Sequence, residues 1–232
     1  CKNTKGVVTA NTETQLRTKT WPEVAKWHRL AINAHWFTWH ASSLQAKGVN
    51  EEGVPLGAAW RIDAIPWSEN NTEAFAGLHN KGRRILLVFD EASSIADGVW
   101  EVAEGALTDE GTEIIWLVFG NPTRNFGRFF ECFNKYRHRW RTFQIDSREV
   151  EGTNKEQFKR EIEAYEEAGG ENSDHVKVWI RGLFPKFSSS QFISHEAVLA
   201  AQQYKAVAYE PMAKVIGVDV ARFGDDKSVF FM

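Results

Sequence analysis

The run Arg84-Ile85-Leu86-Leu87-Val88-Phe89 stops abruptly at two adjacent carboxylates, Asp90 and Glu91. A strand that is apolar on both faces has to be covered on both, which calls for a parallel sheet between helical layers. In such sheets ligands bind outside the carboxyl ends of the strands. The two acids therefore stand where a nucleotide would bind. In the Walker B arrangement Asp90 holds Mg²⁺ through its water shell, and Glu91 orients the water that attacks the γ-phosphate. The competing reading is a strand followed by a solvated loop, with no chemistry in either acid.

The flanking pattern supports the first reading. Gly6 to Ala10 is a short β-like run, and polar cap residues then lead into a helix expected over residues 13–34. An aromatic strand is expected at 35–40, a Gly-rich acidic loop at 47–57, an extended segment at 60–66 and a short helix at 72–78. After Glu91 the pattern predicts a helix over 97–107 and a second apolar strand over 112–119, which ends at Gly120-Asn121-Pro122-Thr123-Arg124. Strand, helix, strand with short polar breaks is a parallel βαβ unit, so both polar loops emerge at the same edge of the sheet. Helices are expected over 125–136 and 154–168, with an alternating stretch at 140–146 between them. Pro185 and the serines that follow make 185–193 the best linker candidate. A helix at 194–204 and a strand at 214–221 come next, and Phe223-Gly224-Asp225-Asp226 turns that strand into another.

Composition bounds the class. A chain of 232 residues, 43% hydrophobic and 25% charged, is an ordinary globular one. Its formal charge of −3 leaves nucleic-acid contact to a local patch, and Arg128, Lys135, Arg137, His138, Arg139 and Arg141 form the one marked basic cluster. That cluster is open to two readings, phosphate contact or a solvated helix end. Two cysteines, Cys1 and Cys132, support neither a disulfide framework nor a zinc site and fit a reducing compartment. No apolar run is long enough to span a membrane. His35 and His40 are read as packing residues and the ten tryptophans as core, with Trp140 and Trp179 anchoring the region beyond the sheet.

Asn121 and Thr123 can sense a γ-phosphate or its attacking water, while Arg124 is open to two roles, phosphate contact or a surface ion pair. No G-x-x-x-x-G-K-[ST] occurs, so the phosphate-cradling loop is expected upstream of Cys1. The chain is accordingly read as an internal fragment. Asp219 sits within a short β run, where a buried acid needs a metal or solvent. Asp225 and Asp226 follow in a turn that would suit ordinary hairpin residues as well as ligands.

In order, Val7-Val8-Thr9-Ala10-Asn11-Thr12-Glu13-Thr14-Gln15, Leu87-Val88-Phe89-Asp90-Glu91-Ala92, Gly120-Asn121-Pro122-Thr123 and Gly217-Val218-Asp219-Val220-Ala221-Arg222-Phe223-Gly224-Asp225-Asp226 resemble the large terminase subunit of tailed bacteriophages. The resemblance spans nearly the whole chain. It implies an α/β fold, a P-loop NTPase-type, mostly parallel sheet covered by helices, followed by the first strands of an RNase H-like nuclease domain. The implied division is an ATPase domain over 1–184 without its P-loop segment, a linker over 185–193 and the start of the nuclease over 194–232. Asp90 would be the Mg²⁺-associated acid, Glu91 the catalytic glutamate, Asn121 to Thr123 the coupling motif, and Asp219 the first metal-binding acid of the nuclease, while Asp226 stays a candidate metal ligand read from its turn. ATP and Mg²⁺ are the implied cofactors, with Mn²⁺ an option at the nuclease site.

The implied partners are double-stranded DNA, a portal protein and a small terminase subunit, in a homo-oligomeric ring. The implied setting is the host cytoplasm and, transiently, the procapsid portal, not the mature virion. The fragment itself would be inactive, since the P-loop and the later nuclease acids lie outside it. Two other readings remain at this stage: a helicase-like ATPase without a nuclease, and a non-catalytic α/β binding module.

Overall fold

The computed structural model describes residues 2–67, 78–186, 201, 203, 217–219 and 229–231. It divides into two compact units, Cys1–Gln191 and Phe192–Met232. In the first unit, β1 (Lys5–Ala10), β2 (Phe37–Trp39), β3 (Ser43–Ala46), β4 (Arg61–Ala64), β5 (Arg84–Asp90) and β6 (Glu113–Val118) form one sheet in the order β2-β3-β4-β1-β5-β6. β4, β1, β5 and β6 run parallel, while β3 and β2 add an antiparallel edge. The helices are α1 (Glu13–Gln15), α2 (Trp21–Leu30), α3 (Asp97–Ala106), α4 (Gly127–Phe133), α5 (Lys155–Ala164) and α6 (Asp174–Trp179). The α/β class and the mostly parallel sheet flanked by helices are as expected.

β5 shows why. Ile85, Leu87 and Phe89 are fully buried and pack with Val99, Trp100 and Ala103 of α3 in one core cluster, while Leu86 and Val88 point to the opposite face of the strand. Phe89 meets Trp100 and Trp116 edge-on, each with ring centroids 5.1 Å apart, and Trp140 closes on Trp116 at 5.4 Å. A second cluster, Val8, Ala10, Leu16, Trp21 and Leu44, holds α2 against the sheet. The β5–α3–β6 unit has the register Arg84↔Glu113 through Phe89↔Val118, so the Glu91 and Asn121 loops do leave the same edge.

Several expectations are corrected. The helix over 13–34 is interrupted and shorter: Pro22 has no N–H to donate, and the backbone ahead of α2 widens into a π turn, Leu16–Thr20. It stops at Leu30 because Ala31 is extended, ψ 138°. β3 is a strand although Ser43-Leu44-Gln45-Ala46 has no β-branched residue, since pairing with β4 and β2 on either side overrides its propensity. Residues 140–146 are extended yet lie in no ladder; Gln144 Nε2 donates to Arg181 O and Ser147 N to Ile180 O instead. α6 was not expected, and it starts where Ser173 Oγ accepts from Val176 N. His35 and His40 are exposed rather than packed, and Trp179 is 52% exposed, so only Trp140 of the expected pair anchors anything.

In the second unit β7 (Gly217–Asp219) and β8 (Val229–Phe231) pair antiparallel, with Asp219 opposite Val229. Both expected strands are present, and the residues expected to turn between them lie outside the described residues. Most of the helices expected at 72–78 and 194–204, linker residues 187–193, and Asp225 and Asp226 lie outside the described residues.

Candidate functional site

Asp90 ends β5, level with Ala10 at the end of β1. Its carboxylate is fixed from two sides. Thr20 Oγ1 donates to Oδ2 at 2.5 Å, and Glu91 N donates to Oδ1 at 3.0 Å. Glu91 leaves the strand in the left-handed region, φ 52° and ψ 41°, a conformation that costs a non-glycine residue roughly 1–2 kcal/mol. Burial, and second the neighbouring Asp90 charge, push its carboxyl above the ordinary value of 4.5. A strained, partly desolvated acid at a strand end is a feature of functional sites.

The second loop is tied to the first. Phe119 N donates to Phe89 O at 2.8 Å and Ala92 N to Phe119 O at 2.9 Å. Gly120 has to be glycine here, since a Cβ would stand 2.9 Å from Ala92 N. Ser93 and Thr123 then join through their hydroxyls at 2.9 Å, and Thr123 N donates to Asn121 O at 2.8 Å. Thus Glu91, Asn121 and Thr123 are brought together. Arg124 points elsewhere: it is exposed, its guanidinium lies 5.8 Å from the Phe126 ring centre, and it forms no ion pair with either acid. Glu91 and Asn121 both line a cavity of about 570 Å³ whose far wall includes Trp140, Arg141 and Phe143.

On the other side of Asp90 lies a cleft of about 590 Å³ lined by Thr18, Lys19, Thr20, Lys26 and Arg29. Lys26 pairs with Glu23 at 2.7 Å, which leaves Lys19 and Arg29 as the cations facing it. Sequence reasoning missed Thr20, Lys19 and Arg29. Their stretch carries ordinary helical polarity, and nothing local marks a residue that meets an acid from a distant strand. Beyond the cleft an apolar groove of about 720 Å³ runs along the second face of the sheet, past Val24, Trp27, Leu86, Val88 and Ile115.

Among the described residues, no three His, Cys, Asp or Glu side chains gather as a metal set. Asp90 and Glu23 are the two carboxylates lining this cleft, and Glu23 is paired with Lys26, so Asp90 is the hard oxygen donor suited to a Mg²⁺ that keeps its waters and takes its other ligands from phosphate oxygens. Asp219 is placed by its backbone within β7. No helix among the described residues is long and apolar enough to cross a membrane.

No protein-family model matches the chain. Among curated proteins, the probable large terminase subunit of Enterobacteria phage P7 is 28% identical over 178 residues, which is 73% of this chain and 35% of the relative. The chain thus spans about a third of the length of that relative. Among solved structures, the large terminase of a thermophilic bacteriophage superposes with a TM-score of 0.54 at 12% identity, over 80% of this chain and 42% of that one. The same terminase in complex with ADP superposes at 0.34 over 54% of this chain, too little to align a site. The likeness to large terminase subunits read from the sequence is borne out, in sequence by the first relative and in fold by the first structure.

Proposed function

We propose that this chain, a relative in sequence and fold of phage large terminase subunits, is part of a DNA-packaging motor that hydrolyses ATP to drive double-stranded DNA into a procapsid and cuts the concatemer with a second, metal-dependent site. The observation that carries the first half is the pair of linked polar loops at the carboxyl ends of adjacent parallel strands, one ending in Asp90-Glu91 and the other in Asn121 to Thr123. In this reading Asp90 holds Mg²⁺ through water, and Thr20 and the Glu91 amide hold the Asp90 carboxylate still. Bound Mg²⁺ supplies charge that neutralises the nucleotide phosphates. Glu91 orients and accepts a proton from the attacking water, a task that its raised pKa favours. Asn121 and Thr123 report the state of the γ-phosphate to α4.

The nuclease half rests on Asp219 in the antiparallel β7–β8 pair, with Asp226 as a further ligand and Mg²⁺ or Mn²⁺ as the metal. The domain division at 185–193 belongs to the same proposal, as do the ring-shaped homo-oligomer, the portal and small-subunit partners, and action in the host cytoplasm at the portal. In a full-length protein that carries these residues, Glu91→Gln abolishes ATP turnover and spares DNA cleavage, while Asp219→Ala does the reverse. Loss of both activities by either substitution would contradict two separate sites. ATP turnover with no cleavage in the parent would favour the helicase-like alternative.

A further inference from the structure

The turn after α4 concentrates positive charge. Lys135, Arg137, His138, Arg139 and Arg141 fall within seven residues that include no acid, and all five are exposed. Two acids of α3 and α4 are already engaged. Glu104 and Glu131 pair with Arg128 of α4. An aromatic ring gathers the cations here: the Tyr136 centroid has the already paired Arg128 at 4.7 Å, Lys135 at 4.9 Å and Arg139 at 5.6 Å. Hydrogen bonds from Lys135 and then Arg128 draw the Tyr136 phenol below its ordinary pKa, so the phenol serves as a shared acceptor.

This turn is also rigid. Tyr136 N donates to Glu131 O and Arg139 N to Tyr136 O, both at 2.8 Å, and Arg137 Nη1 donates to Trp140 O at 2.8 Å. Trp140 then plugs into the core against Trp116 and Trp100. Cations near the end of α4 answer its dipole, but that effect fades within a turn and does not reach Arg139 or Arg141. Like charges held together on a fixed turn repel, and the repulsion is relieved by an anion. Guanidinium forks match phosphate oxygens, and a row of such groups matches a polymer carrying one charge per ~1.7 Å of duplex axis.

We propose that Lys135 and Arg139, braced by Tyr136, together with Arg141, which lies over the Phe143 ring at 5.1 Å, form a docking site for the phosphodiester backbone of duplex DNA. The proposal rests on the packaging reading and adds to it the place where DNA is held. Contacts of this kind ignore base sequence, as movement along DNA requires. The site is one short helix from the nucleotide loops: α4 begins three residues after Arg124, and Arg128 N at its start is held by Asp97 Oδ1 at 2.9 Å. Arg141 and Asn121 line the same cavity. A shift of the Asn121 loop therefore moves the DNA-holding turn.

The test is fluorescence anisotropy of a labelled random-sequence duplex with this chain, titrated between about 50 and 200 mM salt. The K135Q/R139Q/R141Q variant should bind at least about tenfold more weakly at the low-salt end, with its log–log salt slope flattened by up to ~2.7, about 0.9 for each phosphate no longer neutralised. R139K/R141K should restore most of the slope, and K159Q/R160Q on α5 should leave it unchanged. Equal affinity and slope for the triple variant would overturn this site and leave the packaging reading standing. No duplex binding by the unmodified chain would count against both. Competition by polyglutamate as effective as by duplex would assign the turn to an acidic protein instead.

Discussion

Glu91 combines a left-handed backbone with a carboxyl raised by burial and by Asp90, and both features cost folding free energy. An acid whose folded pKa lies above its unfolded value binds its proton more tightly in the folded state. Stability therefore falls as pH rises from 4.5, the ordinary value, through the folded pKa, and the full penalty is present above the folded pKa. Glu91→Gln should accordingly raise the melting temperature at pH 7, with the gain shrinking as the pH is lowered toward that ordinary value. Scanning calorimetry across this range checks it; no gain at pH 7 would assign the cost to backbone geometry alone. Asp90 and Glu91 were legible in the sequence, because an apolar run that stops at acids marks a strand end. The Thr20 hydroxyl on Asp90 was not, because that contact joins residues 70 apart. Arg124, left open in the sequence between phosphate contact and a surface ion pair, lies over Phe126.

At the scale of elements, β1, β5, α3 and β6 were legible because each pattern is strong and its neighbours agree with it. β3 and α6 were not, since both take their conformation from partners distant in sequence. The segment 140–146 alternates like a strand, yet it crosses in front of Gly182, whose φ is +60° and where a Cβ would stand 2.6 Å from Ile145 O. Backbone thus meets backbone here, and neither side can yield cheaply. Gly182→Ala should cost about 2 kcal/mol or more. In contrast, Gly105 in α3 faces open space, and Gly105→Ala should stabilise by roughly 0.5–1 kcal/mol. Urea denaturation of the two variants reads both signs; a Gly182→Ala protein as stable as the unmodified one would show that the segment is free to move.

Across the whole molecule, the class and the meeting of two loops at one sheet edge followed from hydrophobic pattern alone, while the antiparallel edge formed by β3 and β2 needed the structure. The sheet order has a consequence for how the protein forms. β1 lies between β4 and β5, and Asn80 ahead of β5 bonds back to Asn3 O across 77 residues. Long-range parallel pairing of this kind makes folding slow, because loop closure comes before the reward. Pulse-labelled hydrogen exchange during refolding should show Val7, Val8 and Thr9 amides protected only together with those of β5; early protection of β1 alone would contradict this. On the ribosome the same order means that the sheet's middle strand emerges before either of its flanking strands. Its apolar residues wait, unpaired and prone to pairing wrongly, until β4 and then β5 have emerged.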